Sequence, residues 1–553
     1  MTRRAALLLA LAAALYLPSI WTRDLWNPDE PRYAEATREM ITRQDFILPH
    51  LNGDVYSEKP PLFFWLSAAA GAIPGIPAGS GGRLVSVLAS AATLLLTWRI
   101  GALLLGEAAG WLAALILATS ITFWHLAQSG VIDPLLAMLC TAAIFGFLRH
   151  REGRPGGMLL FYACCGLAVL AKGPVGLLVP GLSAAAFSLI VDGRRGLGGR
   201  HLLWGLPLVL LPVGLWMAAA TVRGGAGYAY TMIVRQSVGR AVDAYIHKEP
   251  IWYFLPILPV AFLPWTIFLP EALVAAVRER AARIRPMLFP LVWAAATFVM
   301  FSVISGKKTR YLLPIFPAIS LVVGGWIAGR VEDGSGRMVR GRWAAAAGAL
   351  AGMILAGALA TPALAGIENL PASFLDALRE PGSEAALAAV RQALEWPWSL
   401  RIIGPCVILA GASLWGAWGA ARGRREGLTA LIGGWSLFLA AAGTLWMPVL
   451  NEVKSARHFA DEIRGAGGEG PLYYIDNNYA GALNFYLRTE RIPVLRRRDE
   501  IRAGRDRPGA RFIGSRENLA RAEEKAGVAF EPRICRRLGK EILCLAVLAP
   551  QRP

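Results

Sequence analysis

Apolar runs of roughly twenty residues recur along this 553-residue chain, and they constrain its fold more tightly than any other feature. Hydrocarbon offers backbone N–H and C=O groups no partner, so a chain that crosses it must be helical or closed into a barrel. The short alternating segments of a barrel are missing. The expectation is a polytopic α-helical membrane protein. Composition agrees, with 55% hydrophobic and only 17% charged residues.

The runs begin near Ala5, Arg83, Ala108, Val131, Gly157, Pro174, Leu203, Ile251, Met287, Tyr311, Trp343, Arg401 and Leu428. One more, "PPLFFWLSAAAGAIPGIPAG" at 60–79, opens on two prolines and breaks at Pro74 and Pro77, which makes it shorter than a usual span. Charge parity decides whether it crosses. If it does not, the basic loops at Arg3/Arg4, Arg149/Arg151/Arg154, Arg194/Arg195/Arg200, Arg278/Arg280/Arg283/Arg285, Arg330/Arg337/Arg340/Arg342 and Arg422/Arg424/Arg425 share one face. That face is cytoplasmic by the positive-inside rule, and about thirteen spans follow with the N-terminus inside and the C-terminus outside. Residues 60–79 then read as a re-entrant or surface helix on the outer side. The first run, behind Arg3 and Arg4, reads as a retained span because no small-x-small cleavage site follows it. The same loop distribution accounts for the net charge of +19 and argues against a nucleic-acid partner.

This topology leaves larger outer segments at 22–59, 221–250 and 361–400. A transmembrane body over 1–450 is expected to carry an outer α/β domain over 451–553. There "PLYYIDN", "RIPVL", "ARFIGS" and "EILCLAVLAP" read as strands, with helical stretches at 480–487 and 517–526. Cys140, Cys164, Cys165 and Cys406 sit in apolar runs as small hydrophobes. Cys535 and Cys544 lie in the tail, placed to pair across a hairpin if it faces an oxidising compartment.

Charge collects at the outer level. "NPDEPRYAEATREM" (27–40) follows the first run. Its Asp29 and Glu30 fall in the first turn of a helix, where acids favour the positive end of the dipole. Tyr33, Thr37, Met40 and Ile41 recur at helical spacing opposite Glu35, Arg38 and Glu39, the pattern of an amphipathic helix lying in the interface. Tyr56, Glu58 and Lys59 precede the proline-broken helix. Asp133 stands at the outer end of another span, where a carboxylate beside hydrocarbon suggests function, or an N-cap before Pro134. His125 and Lys172 fall near the same level. Lys307, Lys308 and Arg310, in "SGKKTRYLLP", run against the charge bias and suit an anion such as phosphate. An ion-coupled transporter would place such groups at the midplane within repeats. Neither feature is seen, so an enzyme acting on a lipid with an anionic headgroup explains the level better than a flippase or transporter.

The run "DEPRYAEATREMITRQDFILPHLNGDVYSEKPPLFFWL" (29–66) resembles the first periplasmic loop of the aminoarabinose transferase family, bacterial relatives of protein O-mannosyltransferases with the GT-C glycosyltransferase fold. "IDPLL", "KGPVG", "SGKKTRYLLPIFPA" and "ALNFYLRTERIPVL" extend the likeness more loosely. The resemblance implies an inverting transferase of the bacterial inner membrane, working at the periplasmic face. It would move 4-amino-4-deoxy-L-arabinose from undecaprenyl phosphate to a lipid A phosphate and so confer polymyxin resistance. A relative acting on a protein or another glycan or lipid is the alternative.

By the same resemblance, Asp29 matches the essential acid and Asp133 the second acid. Lys59 and the Arg310/Tyr311 pair match the groups that hold the carrier phosphate. The chemistry of a leaving phosphate adds Arg32 and Lys308 as cations, with Tyr33, Tyr56 and Tyr311 as hydrogen-bond donors. No cofactor is required by this scheme. Glu58 and His247 would share a divalent metal only if the middle loop folds back over the first. A monomer in contact with membrane lipids is expected.

Overall fold

The computed structural model describes residues 2–239, 248–278, 281–332, 400–421, 426–468, 470–475, 480–504, 507–539 and 541–549, together with the single residues 352, 357 and 388. The expected span from Trp343 therefore lies outside the described residues. So does the segment that carries His247.

The body is helical. In chain order it contains α1 (Arg3–Tyr16, continued by a turn at Ser19–Thr22), α2 (Asp29–Thr42), the hairpin β1 (His50–Leu51) and β2 (Asp54–Val55), α3 (Leu62–Gly71) and α4 (Gly81–Leu105). Then come α5 (Glu107–Thr119), α6 (Ile121–Ala127), α7 (Asp133–Arg151), α8 (Gly157–Lys172), α9 (Val175–Asp192) and α10 (His201–Gly224). After these follow α11 (Phe254–Ala261), α12 (Leu269–Arg278), α13 (Ala281–Val303), a 3₁₀ turn at Thr309–Ile315 leading into α14 (Phe316–Glu332), α15 (Leu400–Ala421) and α16 (Glu426–Ala441). Among the described residues, seven helices are long and apolar enough to cross a membrane, or nine if each bent pair counts as one span. The chain is a multi-pass membrane protein.

The structure bends two expected spans that read as continuous. The run from Ala108 turns by 69° at Ser120, and the run from Ile251 turns by 114° before Trp265. Ser120 has extended backbone, and Pro264 cannot supply the N–H that would continue a helix. The two breaks lie together, since Ile121 donates its backbone N–H to Leu263 O at 2.9 Å and Trp265 donates Nε1 to Thr119 Oγ1 at 3.0 Å. Unpaired backbone at each break thus finds a partner on the other. The run at 60–79 forms only the ten-residue α3, too short to span, as its prolines predict.

Helix α2 departs from expectation. An interfacial helix would bury one stripe and wet the other, yet ten of the fourteen residues of α2 are buried, and Glu35 and Glu39 are fully so. Ile41, expected on the apolar face, is 42% exposed. The reason is tertiary. Helix α18 (Ala480–Leu487) of the C-terminal segment packs across the charged face of α2, and a Cβ on its Gly481 would come within 2.8 Å of Arg32 Cα. Only glycine permits that approach. Glu35 keeps a partner by accepting from Arg38 Nε and Nη2 at 2.8 and 2.7 Å, and Glu39 accepts from Gly53 N at 3.1 Å. Nearby, Asn52 Oδ1 accepts from Asn484 Nδ2 and Ile492 N, both at 2.8 Å, and Asn52 Nδ2 donates to Ile492 O. These bonds tie the first loop to the C-terminal segment.

That segment builds a four-stranded sheet in the order β3-β4-β6-β5, from β3 (Leu472–Tyr474), β4 (Arg511–Ser515), β5 (Phe530–Leu538) and β6 (Glu541–Leu548). The first pair is parallel and the others antiparallel. Helices α17 (Arg457–Gly465), α19 (Arg498–Ala503) and α20 (Arg516–Ala526) complete it. "RIPVL" supplies only a single bridge, Val494 to Tyr474, rather than a strand. Cys535 and Cys544 face each other across β5 and β6 and are joined by a disulfide.

Candidate active site

Four separate elements meet at one end of the bundle. Asp29 opens α2, past the short connection that follows the turn at Ser19–Thr22. Asp133 opens α7, Lys172 closes α8, and Arg310 lies in the 3₁₀ turn before α14. Asp29 does not cap its helix. Its two carboxylate oxygens instead accept from Arg32 Nη2, one turn on, and from Arg310 Nη1. The same guanidinium places Nε 3.6 Å from Asp133 Oδ2, while Asp133 Oδ1 accepts from Lys172 Nζ. Lys172 also lies 4.4 Å from the centroid of the Tyr311 ring. The result is a continuous chain of alternating charge, Arg32–Asp29–Arg310–Asp133–Lys172, closed by a tyrosine. Both carboxylates are less than 10% exposed. Burial opposes the charge on Asp29, yet Arg310 and Arg32, with Lys308 behind them, hold its carboxyl below the usual carboxylate range. It is ionised at neutral pH and a weak base.

Other expected residues gather around this chain. Tyr33 is buried with its ring 5.8 and 5.9 Å from Phe63 and Phe64 of α3, and Tyr56 packs on Phe64 at 6.3 Å. Arg32 lies within electrostatic reach of Tyr56, Asp29, Tyr33 and Glu58. Lys59 is half-buried immediately ahead of α3. Helix α3 thus serves as the aromatic backing of the site. Glu58 is half-buried, while its suggested metal partner His247 lies outside the described residues. Among the described residues no three His, Cys, Asp or Glu side chains group as a metal site.

The sequence reading missed what stands behind Asp29. Glu30, read as a helix-capping acid, is the centre of a buried ion cluster. It accepts from Arg83 Nε and Nη2, each at 2.9 Å, from Arg23 Nη2 at 3.3 Å, and from the backbone N–H groups of Gly130 and Trp26 at 2.7 and 2.8 Å. Burial alone would raise its pKa, but Arg23 and Arg83 pull it down to about 2. Arg83 is fully buried and also donates to the carbonyls of Ser19, Arg23 and Asp24. One signal could have exposed these cations. Arg23, Arg83 and Lys454 all sit on the expected outer side, against the charge bias, as Lys308 and Arg310 do.

Asp29, Lys308 and Arg310 open onto a cavity of about 420 Å³ whose walls also include Arg23, His125 and Lys454. A second cavity, of about 490 Å³, lies in the C-terminal sheet and is lined by none of the expected site residues. Its size does not make it the chemical centre.

Bent spans, the short α3 beneath a juxtamembrane helix and a charged junction at one end of the bundle define a multi-pass membrane protein of the GT-C fold. The chain has the fold of the crystal structure of ArnT from Cupriavidus metallidurans bound to undecaprenyl phosphate, with a TM-score of 0.75 and 22% identity over 98% of this chain and 97% of that one. Residues 1–223 match the family model of dolichyl-phosphate-mannose-protein mannosyltransferases. Curated relatives include the undecaprenyl phosphate-α-4-amino-4-deoxy-L-arabinose arabinosyl transferases of Yersinia enterocolitica, 33% identical over 58% of both chains, and of Pectobacterium atrosepticum, 32% identical over 61% of both. The match spans about three-fifths of the length of these relatives. The resemblance carried by residues 29–66 is thus found again across more than half of the chain.

Proposed function

We propose that this chain is an inverting glycosyltransferase that moves a sugar from undecaprenyl phosphate to a lipid phosphate at the periplasmic face of the bacterial inner membrane. The names of its relatives favour 4-amino-4-deoxy-L-arabinose as the sugar and lipid A as the acceptor. The observation that carries the reading is the junction of Asp29, Arg310 and Asp133 beside a cation-lined cavity, at the level where a carrier headgroup would sit.

In the proposed reaction the bond between the anomeric carbon and the carrier phosphate oxygen breaks, and its electron pair stays on that oxygen. Negative charge grows on the leaving phosphate while the sugar ring becomes cation-like. Arg310 and Lys308, with Arg32 bound to the same Asp29, are suited to hold the phosphate, since fixed cations stabilise charge where it develops, and Lys59 would add to them. Tyr33, Tyr56 and Tyr311 would donate hydrogen bonds. A phosphate acceptor is already anionic, so no base need remove a proton from it. That fits Asp29, whose depressed pKa suits it to stabilise the positive ring and orient the nucleophile rather than to abstract protons. Asp133, held by Lys172, would position Arg310 and an amine or hydroxyl of the sugar. The scheme draws on no metal.

Mass analysis of lipid A from cells with and without the gene tests the reading. It predicts a phosphate-linked sugar that disappears with the gene. Unchanged lipid A, with a new or lost modification on protein or another glycan, would assign the acceptor elsewhere.

A further inference from the structure

The carboxylates at the cavity are already engaged. Asp29 accepts from Arg32 and Arg310, and Glu30 accepts from Arg23, Arg83 and two backbone N–H groups. The uncharged polar groups of the same wall are not. Asn27, Thr122 and His125 line the cavity. Among the described residues, the Asn27 amide, the Thr122 hydroxyl and the His125 imidazole have no hydrogen-bond partner, although Asn27 Nδ2 is buried. Buried polar groups are ordinarily paired, so this wall is fitted to a ligand that both gives and takes hydrogen bonds.

Local structure brings the three together. Thr122 and His125 are three residues apart and so share a face of α6. The 69° bend at Ser120 sets that helix against the 3₁₀ turn that carries Arg310. The His125 ring packs on Trp26 with centroids 6.4 Å apart and a tilt of 35°, which fixes its plane. Asn27 stands two residues ahead of Asp29, held by its backbone N–H, which donates to Lys454 O at 3.0 Å. The uncharged wall thus adjoins Asp29 through Asn27 and the Arg310 turn through α6.

We infer that Asn27, Thr122 and His125 form the subsite that reads the hydroxyl groups of the transferred sugar. The inference rests on the transferase reading and adds specificity residues to it. A sugar hydroxyl is at once donor and acceptor. The Asn27 amide offers two donors and an acceptor, the uncharged imidazole one of each, and Thr122 a hydroxyl that rotates to suit. Neutral groups fit the task, because further cations would compete with Arg310 for the carrier phosphate. A cavity of about 420 Å³ falls within the roughly 300–1,000 Å³ of small-ligand sites. A site built to bond hydroxyls rejects analogues that lack them far more strongly than an apolar pocket does.

The test uses the full chain in nanodiscs and two probes that differ only in the sugar, undecaprenyl phosphate and undecaprenyl phosphate-α-4-amino-4-deoxy-L-arabinose. His125→Phe keeps an aromatic ring against Trp26 but loses the hydrogen bonds. Thr122→Val keeps the shape and loses the hydroxyl. Each should weaken binding of the sugar-bearing donor about three- to tenfold, and leave undecaprenyl phosphate affinity within about twofold. His125→Gln, which restores a donor and an acceptor, should recover most of the loss. Thr122→Val decides the matter if His125→Phe does not fold. Equal losses for the two probes, the mark of a merely structural role, would overturn the subsite. So would unchanged donor affinity in both variants. Failure of the wild type to bind undecaprenyl phosphate would instead sink the transferase reading, whereas failure of the subsite leaves carrier binding intact.

Discussion

Neutralising Glu30 probes the cluster that fixes α2, and with it Asp29. Glu30→Gln preserves shape but removes the counter-charge of Arg83, which is fully buried, and of Arg23, whose side chain is equally enclosed. Breaking a buried pair by removing one partner costs about 3–5 kcal/mol. Burial works against the charge on Glu30, yet Arg23 and Arg83 hold its carboxyl at about 2, below an ordinary 4.5. Because the folded value is depressed, this stability is present above pH 4.5 and is lost as pH falls towards 2. Unfolding in detergent, followed by tryptophan fluorescence at pH 7, should show Glu30→Gln less stable by about 3–5 kcal/mol. Glu30→Gln combined with Arg83→Met should recover part of the loss, because an apolar replacement removes one stranded charge. A single variant as stable as wild type, or a double variant as weak as the sum of both singles, would refute the cluster's role.

Arg310→Ala should weaken undecaprenyl phosphate binding by about 1.5–3 kcal/mol, or roughly ten- to hundredfold, as measured by titration in nanodiscs. Unaltered affinity would take Arg310 out of the carrier site. Glu35 should make stability depend on pH in the opposite sense to Glu30. Burial, opposed by Arg38, pushes its carboxyl up to about 7 from 4.5, so its contribution is full below pH 4.5 and declines as pH rises to about 7. Thermal midpoints between pH 5 and 8 should fall less steeply in Glu35→Gln than in wild type, and equal slopes would contradict this. Reducing the disulfide between Cys535 and Cys544, which are nine residues apart, should cost the β5–β6 hairpin about 2–3 kcal/mol in hydrogen exchange. Protection unchanged in β5 would count against it.

Much of this was legible before the structure. The prolines of 60–79 marked a helix too short to cross, and Asp29, Asp133 and Arg310, which meet at the junction, stood out as charges at the outer ends of apolar runs. Other features escaped for definite reasons. Nothing at Ser120 marks a bend, and Pro264 is one of several prolines in its run, of which Pro259 sits inside a helix, so both breaks read as continuous spans. Arg83 at the head of a run stands against the charge bias, but nothing in the sequence marks Glu30, 53 positions earlier, as its partner. Glu35 and Glu39 have a solvated pattern, and they are enclosed by tertiary neighbours that the pattern does not show, helix α18 packing on α2 and the β1–β2 turn at Gly53 bonding to Glu39. Strand β5 contains Pro532, Arg533, Arg536 and Arg537, which mask any alternation.

Donor binding and sugar transfer, measured on one preparation of Asp29→Asn, test the central claim most directly. If Asp29 acts on the sugar and its nucleophile, while Arg310 and its neighbours hold the carrier, the variant should bind undecaprenyl phosphate at least as tightly as wild type. Its transfer should fall by about a hundredfold or more, in the range of a positioned catalytic group. Transfer at the wild-type rate, or transfer and carrier binding lost in equal measure, would contradict the account.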